Sequence, residues 1–229
     1  MITRFGLVQK RDGMSMEEFN KHWQEKHGPI VAKMDSIRHY RQNLVTNSQQ
    51  LGIGFATRSP ITVDGFSELC WDNVHDMNKG IMSQAAAAQE DLKLFTKQSQ
   101  ILVTLKRKVI PFPENYGRPL IKRMTLLKRN PEMSSERFDW EWLGLHGEMV
   151  KFMPNVIAYH QNVILDRIID GKSVPYEEMP YDGIVEMWFE SVEKLEECFA
   201  SANYKYTSFH GRDFLDTMTT FLVEETAIV

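Results

Sequence analysis

One eleven-residue pattern occurs twice in this chain, at a constant separation. The first copy runs from Phe19 to Pro29 and the second from Phe138 to Glu148. Four identities recur 119 positions apart: Phe19 and Phe138, Trp23 and Trp142, His27 and His146, Gly28 and Gly147. Because 119 is about half of the 229 residues, the sequence indicates that one structural unit was duplicated.

The duplication favours two domains over one. Prolines and glycine punctuate residues 111–118, and domains of about 100–150 residues are common. We therefore predict one unit over residues 1–112 and a second over residues 117–229. Hydrophobic residues make up 42% of the chain, which suffices for a core in each unit.

Charge and cysteine content limit the partners and the cellular compartment expected for the protein. Lys and Arg number 27 against 31 Asp and Glu, a net charge of −4, and no long basic run suggests nucleic-acid binding. Cys70 and Cys198 do not occupy equivalent positions, so neither a disulfide framework nor a metal cluster is expected. No signal peptide and no membrane-spanning apolar run are recognisable, which predicts a cytoplasmic protein with no membrane partner.

The duplicated pattern predicts an amphipathic helix. Ser15 and Glu18 have the spacing of a capping box, and one helical face carries a row of residues: Phe19, Trp23, His27 and Ile30. Since proline removes a backbone donor, Gly28-Pro29 predicts a kink or break.

Strand and helix signals give each half the order β-α-β-β-α-β. This is the ferredoxin-like arrangement, an antiparallel four-stranded sheet with helices on one face. The bare face of each sheet needs a cover, and the other copy supplies one. We therefore predict an α+β protein whose two tandem ferredoxin-like units form an intramolecular pseudo-dimeric α+β barrel.

The motif Phe-x-x-x-Trp-x-x-x-His-Gly-Pro, followed by a strand with Tyr-x-Gln-Asn, resembles the EthD family of the dimeric α+β barrel superfamily. The resemblance covers both halves, so the chain looks like a tandem member. It implies the fold firmly and the reaction loosely, because relatives include isomerases, lyases, cyclases, cofactor-free monooxygenases and haem-binding branches. It also implies that His27 with Tyr40, and His146 with Tyr159, are polar residues of two pockets. Glu148 replaces the proline in the second copy, which makes the first copy the stronger candidate.

The chemistry expected of the pair is acid–base catalysis. Desolvation keeps an inward histidine neutral and able to accept a proton, while a tyrosine hydroxyl stabilises an oxyanion or returns a proton. Alternatively, both histidines only bond backbone groups at a helix end. Six further residues are candidates for substrate contacts: Trp23, Trp142, Asn43, Asn162, Glu68 and Glu186. Alternatively, the tryptophans are core residues, the asparagines bond backbone groups, and the glutamates are solvated carboxylates.

The resulting hypothesis is a cofactor-independent isomerase, lyase or dehydratase acting on a small cyclic, lactone-like or aromatic-derived metabolite. A non-catalytic binding or accessory protein, or a cofactor-free monooxygenase, is the alternative. No metal site is predicted, because His39 and His160 are not at equivalent positions and each points away from its neighbouring tyrosine. The expected partner is a small-molecule substrate, and a homodimer of the tandem chain is one option.

Overall fold

The computed structural model describes residues 1–229. The first half begins with nine residues of strand and ends with a strand of fifteen. Its elements in chain order are β1 (Ile2–Lys10), α1 (Met16–His22), a π-helical segment (Trp23–His27), α2 (Gly28–Val31), β2 (His39–Asn47), β3 (Gly65–Trp71), α3 (Val74–Phe95) and β4 (Thr96–Ile110).

The second half repeats this order with a short strand and a 3₁₀ turn inserted, and with two shorter helices in place of α3. Its elements are β5 (Ile121–Arg129), α4 (Ser135–Asp139), a second π-helical segment (Trp140–His146), α5 (Gly147–Val150), β6 (Ala158–Ile169), β7 (Lys172–Ser173), the 3₁₀ turn (Tyr176–Glu178), β8 (Gly183–Phe189), α6 (Val192–Ala200), α7 (Ala202–Phe214) and β9 (Leu215–Ala227). The predicted β-α-β-β-α-β order is present in both halves. The domain limits 1–112 and 117–229 stay a prediction.

The two four-stranded sheets form one closed barrel. The strand order is β4-β1-β3-β2-β9-β5-β8-β6, and β6 pairs with β4 to close the ring, while β7 extends β6 at the rim. All pairings between these strands are antiparallel. The halves meet at the β2–β9 and β4–β6 pairings, so hydrogen bonds as well as side chains join them. The predicted pseudo-dimeric α+β barrel is confirmed.

Strand alternation divides the core into two kinds of compartment. Side chains on one face of the strands fill the barrel interior, where Phe5, Phe66, Met124 and Phe221 belong to one apolar cluster. Side chains on the other face pack under the helices, in separate clusters for the two halves. Because adjacent strand residues point to opposite faces, neighbours in sequence lie in different compartments.

At Gly28-Pro29, where the sequence predicts a kink or break, the chain remains helical. It changes from α to π hydrogen bonding before the proline, with the Gly28 N–H donating to the Trp23 carbonyl five residues earlier. The second copy makes the same change over Trp140–His146 without a proline. Proline is therefore not the cause of the change, and π segments of this kind often mark functional sites.

Two predicted boundaries were wrong because tertiary pairing extends strands. The sequence predicts the fourth strand over residues 100–110 and the last helix over residues 204–218. Helix α3 is a single element, and β4 starts at Thr96, four residues before that strand. Strand β9 starts at Leu215, inside that predicted helix, because its first residue pairs with Arg129 on β5. Both strands lengthen where a neighbouring strand offers backbone partners.

A ring of four buried charges ties the halves together inside the barrel. Lys122 of the second half contacts Glu68 of the first at 2.9 Å and Glu186 of its own half at 2.8 Å. Lys106 of the first half contacts Glu186 at 2.9 Å and also pairs with Glu68. No member's side chain is more than 5% exposed. Each carboxylate is therefore neutralised by one amine of each half.

A tight contact between a glycine and a tryptophan also recurs in both halves. A Cβ atom at Gly65 would overlap ring carbons of Trp23, and one at Gly183 would overlap those of Trp142. We expect Gly65→Ala or Gly183→Ala to lower the free energy of unfolding by about 1–3 kcal/mol through overpacking. Gly144→Ala is the control, because its Cβ would meet nothing within 4 Å. Urea denaturation tests this, and equal stability of all three variants would contradict the expectation.

Candidate functional site

Each half has a cavity between its helices and the outer face of its sheet. His27 and Tyr40 line the first, which encloses about 500 Å³ including its mouth. His146 and Tyr159 line the second, of about 510 Å³. Each predicted histidine and tyrosine thus share a cavity, although no hydrogen bond joins them. A water-sized molecule can reach only about 60 Å³ of the first cavity and about 50 Å³ of the second, which is room for a few waters.

In the first cavity a carboxylate on α3 orients the histidine. Asp91 Oδ2 lies 2.9 Å from His27 Nδ1, and its Oδ1 lies 2.9 Å from His22 Nε2. A carboxylate only accepts, so both of these ring nitrogens carry the hydrogen. His27 is left with a free lone pair on Nε2. His22 and His27, five residues apart, reach the same carboxylate because the helix between them has π geometry.

In the second cavity the positions equivalent to Asp91 and His22 also contact the pocket histidine or its partner, but the acidic residue and the histidine have changed places. His210 stands 119 positions after Asp91, and Glu141 stands 119 positions after His22. Glu141 Oε2 accepts from His210 Nε2 at 3.0 Å, and His210 Nδ1 lies 3.3 Å from His146 Nδ1. With His210 donating to Glu141, its Nδ1 accepts from His146, which again leaves Nε2 of the pocket histidine free.

The two pocket histidines differ in basicity. Burial lowers the pKa of His27, but the hydrogen bond and charge of Asp91 oppose that shift. Burial and the neighbouring His210 lower the pKa of His146 to about 3, with no carboxylate in contact to oppose them. Both are neutral near pH 7, and His27 is the one backed by a negative charge.

A glutamine connects each tyrosine to the π segment of its helix. Gln42 Nε2 donates to the Tyr40 hydroxyl at 2.8 Å and to the Trp23 carbonyl at 2.9 Å. Gln161 repeats both bonds, to the Tyr159 hydroxyl at 3.1 Å and to the tryptophan carbonyl of its own half at 2.7 Å. Burial raises the pKa of Tyr40, and raises that of Tyr159 to about 12, so each hydroxyl keeps its proton. The held hydroxyls are therefore hydrogen-bond donors.

An arginine lines each cavity at another pair of equivalent positions, Arg4 and Arg123. Arg123 is only 2% exposed, and its Nε and Nη2 have no hydrogen-bond partner. Nε of Arg4 is likewise buried without a partner, and neither guanidinium takes part in an ion pair. Burial lowers the pKa of both to about 10, which leaves them charged at neutral pH.

The first half covers the cavity of the second. Ile53 and Phe55, from the long connection between β2 and β3, line the second cavity. The connection is fixed by Tyr204, whose hydroxyl donates to the Gly52 carbonyl at 2.5 Å, and by a parallel bridge between Thr57 and Thr217. The second cavity is therefore built from both halves.

The other predicted contact residues lie mostly elsewhere. Asn43 and Asn162 face the barrel interior, where they donate to the carbonyls of Phe66 and Ile184 at 3.2 and 3.1 Å. Trp142 lines the second cavity, whereas Trp23 packs against Phe19 with ring centroids 5.4 Å apart. A sheet therefore separates the asparagines from the histidines and tyrosines.

The two glutamates also face the barrel interior, and the pKa of each is lowered although burial by itself raises the pKa of a carboxylate. Burial alone would raise the pKa of Glu68, but Lys106 and Lys122 outweigh it and hold that pKa well below its ordinary value. The same ammonium groups lower the pKa of Glu186 against burial and the charge of Glu68. Both glutamates are ionised members of the charge ring.

Sequence reasoning singled out the histidines and tyrosines, gave no role to the glutamines of the Tyr-x-Gln-Asn motif, and missed the arginines. Arg4 and Arg123, and Gln42 and Gln161, are identities at the same separation of 119 that revealed the repeat. Applying that separation to every position finds both pairs. Asp91 and His210 are equivalent positions with different residues, so a search for identities does not find them. Their roles became visible only in the structure.

The depressed pKa of His146 predicts a pH dependence of stability. Its folded pKa of about 3 lies below the unfolded value of about 6.5, so the unfolded chain binds the proton first. Stability is therefore complete above about pH 6.5 and falls as the pH drops toward 3, by at most about 1.4 kcal/mol per pH unit for this group. His146→Phe should flatten the slope between pH 6.5 and 4.5 in urea denaturation. Substituting the exposed His75 is the control, and an unchanged slope in His146→Phe contradicts the prediction.

Solved structures of other proteins share this fold at low identity. An anthrone oxidase-like protein aligns with a TM-score of 0.62 at 12% identity, over 99% of this chain and 93% of its own. A dye-decolorizing peroxidase from Bacteroides thetaiotaomicron VPI-5482 aligns with 0.55 at 8%, over 97% and 92%. A chlorite dismutase mutant from Candidatus Nitrospira defluvii aligns with 0.52 at 12%, over 97% and 90%. A comparison with curated protein sequences finds no match.

A closed barrel of two ferredoxin-like halves, each with a cavity under its helices, defines a tandem dimeric α+β barrel protein. The family profile described as EthD domain matches residues 11–99 and again residues 130–217. The chain belongs to the EthD family and carries two copies of its domain. No helix of the structure is both long and apolar enough to span a membrane, and no group of three or more His, Cys, Asp or Glu side chains is arranged to hold a metal ion.

Proposed function

We propose that this protein is an enzyme that moves protons by acid–base chemistry, without a bound cofactor, on a small cyclic, lactone-like or aromatic-derived metabolite. The observation that carries the proposal is the hydrogen bond between Asp91 and His27 Nδ1 at 2.9 Å, at the wall of a cavity that also contains Tyr40. A neutral imidazole backed by a carboxylate is the arrangement by which enzymes make a histidine a general base.

The proposed steps use only residues of this cavity. His27 Nε2 takes a proton from the carbon next to a carbonyl, and Asp91 stabilises the imidazolium that forms. The Tyr40 hydroxyl, held by Gln42, donates a hydrogen bond to the developing enolate oxygen. Return of the proton at another carbon isomerises the substrate. Alternatively, the enolate expels a leaving group from the adjacent carbon, that group takes the proton from the His27 imidazolium, and the reaction is a lyase or dehydratase reaction.

The second cavity supports a different role. His146, with a pKa of about 3, is a weak base, and 13 of the 18 residues that line its cavity are hydrophobic. This favours binding over proton transfer in the second half. It is also the observation behind the second candidate function, a small-molecule binding or accessory protein without chemistry. The alternative of a cofactor-free monooxygenase is supported only by the fold and by no feature of either cavity.

The experiment that tests the proposal is a thermal-shift screen with lactones and phenolics, followed by product analysis of every compound that stabilises the protein. We expect a stabilising compound to be converted to an isomer of equal mass or to a product that has lost a small molecule. Oxygen uptake during turnover would replace the proposal with the monooxygenase. Stabilisation without conversion would replace it with the binding protein.

A further inference from the structure

We propose that the ligand of these cavities is a carboxylate attached to an apolar ring, and that Arg123, with Arg4 at the equivalent position, binds the carboxylate group. Since it names the substrate class of the proposed site, this inference rests on the proposed function. The binding step can nevertheless be measured without turnover.

The first argument is the lack of any partner for a buried charge. Arg123 is 2% exposed, no carboxylate forms an ion pair with it, and its contact with Phe199 is to the ring face at 4.8 Å. Burying a charge without a hydrogen-bonded counter-charge is costly, so buried arginines are normally paired. In the barrel interior of this same protein, the buried Lys106 is paired with two carboxylates and the buried Lys122 with three. The unpaired guanidinium groups of Arg123 and Arg4 thus differ from the buried lysines of the same molecule.

The second argument is the identity of the free atoms. Nε and Nη2 of Arg123 are both buried donors without a partner, and they form one edge of the guanidinium with parallel N–H bonds. That edge matches the two oxygens of a carboxylate in a bidentate pair. The other polar groups lining the cavity are neutral: His146, Tyr159, Tyr204, two threonines and Ser208. A single positive charge with one free edge fits a planar monoanion better than a phosphate dianion.

The third argument is the surface around the guanidinium. Phe55 and Phe199 line the same cavity as Arg123, together with Leu127 and Met187 from the sheet. The connection from the first half closes over this space through Ile53 and Phe55. An apolar ring is the ligand body that gains from such walls. Exclusion of water also strengthens a charge-assisted hydrogen bond at the arginine.

A second buried arginine in the cavity of the first half supports the assignment of these arginines as carboxylate-binding residues. Arg4 lines the first cavity beside His27 and Tyr40, and its buried Nε also lacks a partner. An arginine in each copy gives the chain two sites for the same group. In the first cavity the arginine holds the carboxylate while His27 reaches a neighbouring carbon, which makes it a binding residue of the proposed reaction.

Isothermal titration calorimetry with matched acids and amides tests the proposal. The probes are 2-naphthoate, benzoate and cyclohexanecarboxylate, each compared with its neutral primary amide. We expect the full chain to bind at least one acid about 10- to 100-fold more tightly than its amide, the range of a hydrogen-bonded charge. Arg123→Gln should remove this preference at one of two sites, and Arg4→Gln at the other. Arg118→Gln, at an exposed position of 74% side-chain accessibility, is the control for overall charge.

Stability separates a binding arginine from a structural one. Without ligand, Arg123→Gln should melt at the same temperature as the parent chain or higher, because an unpaired buried charge is removed. A lower melting temperature would make the arginine structural and overturn the proposal. Equal affinity for acid and amide in all three pairs, or no binding of any acid, would overturn it as well. Acid preference without conversion of any compound would leave this inference standing and remove the acid–base function.

Discussion

Glu68→Gln is expected to lower the free energy of unfolding by about 3–5 kcal/mol, because it leaves two buried ammonium groups with only one buried carboxylate, that of Glu186. Lys106 and Lys122 both contact this glutamate, whose side chain is 1% exposed. The ring of four charges is neutral in the parent chain and carries one uncompensated positive charge in the variant. An amide oxygen accepts a hydrogen bond but does not balance that charge.

The control for Glu68→Gln is Glu225→Gln. Glu225 also contacts Lys122, at 2.8 Å, but its side chain is 29% exposed, so solvent screens the pair and the expected loss is below about 1 kcal/mol. Urea denaturation at pH 7 measures both variants. Similar losses in the two would show that the ring contributes no more than a surface ion pair.

A double variant separates charge imbalance from lost packing. Lys106→Met combined with Glu68→Gln leaves Lys122 paired with Glu186, at 2.8 Å, and restores neutrality. We expect the double variant to lose less stability than the sum of the two single variants. Because each carboxylate contacts an amine of the other half, the same variants should weaken the association of the two halves.

His27→Gln is expected to lower the turnover of the proposed reaction by about 10²- to 10⁴-fold, the usual contribution of a general base. Glutamine is close to histidine in size and polarity, so the cavity keeps its shape while losing the free imidazole lone pair. Asp91→Asn should also slow the reaction, because an amide does not stabilise the imidazolium as a carboxylate does. Steady-state kinetics on a converted compound measures both effects.

His146→Gln is the matched control for His27→Gln, at the equivalent position of the other half. Its cavity lacks the carboxylate contact to the pocket histidine, so we expect turnover to change by less than about tenfold. Equal losses in the two variants would show that both cavities carry out the reaction. A loss confined to His146→Gln would assign the chemistry to the second half.

The barrel could be predicted from the sequence because a duplicated unit with a bare sheet face has few ways to bury it. Strand alternation also correctly separated Tyr40 from His39 and Tyr159 from His160. The π segments were not predicted, because the four-residue spacing of Phe19, Trp23 and His27 also fits an α-helix. Gly28-Pro29 suggested a kink or break, but the chain passes there from π-helical to α-helical hydrogen bonding.

The site was predicted in part, and the misses have a common physical origin. Asn43 and Glu68 lie near Tyr40 in sequence or on the neighbouring strand, but their place on the strand puts them inside the barrel. Arg4 was overlooked because only its identity with Arg123, 119 positions later, marks it in the sequence. Asp91 lies 64 residues after His27, and only the packing of α3 on the first helix brings the two together.

Deuterium incorporation from heavy water into a β,γ-unsaturated lactone, whose α proton is acidic, tests the central claim that the first cavity transfers protons through His27. Mass spectrometry follows the uptake, so no product needs to accumulate. The parent chain and His146→Gln should incorporate deuterium at similar rates well above the uncatalysed rate, whereas His27→Gln should not exceed the uncatalysed rate. Incorporation by His27→Gln at the rate of the parent chain would contradict the account.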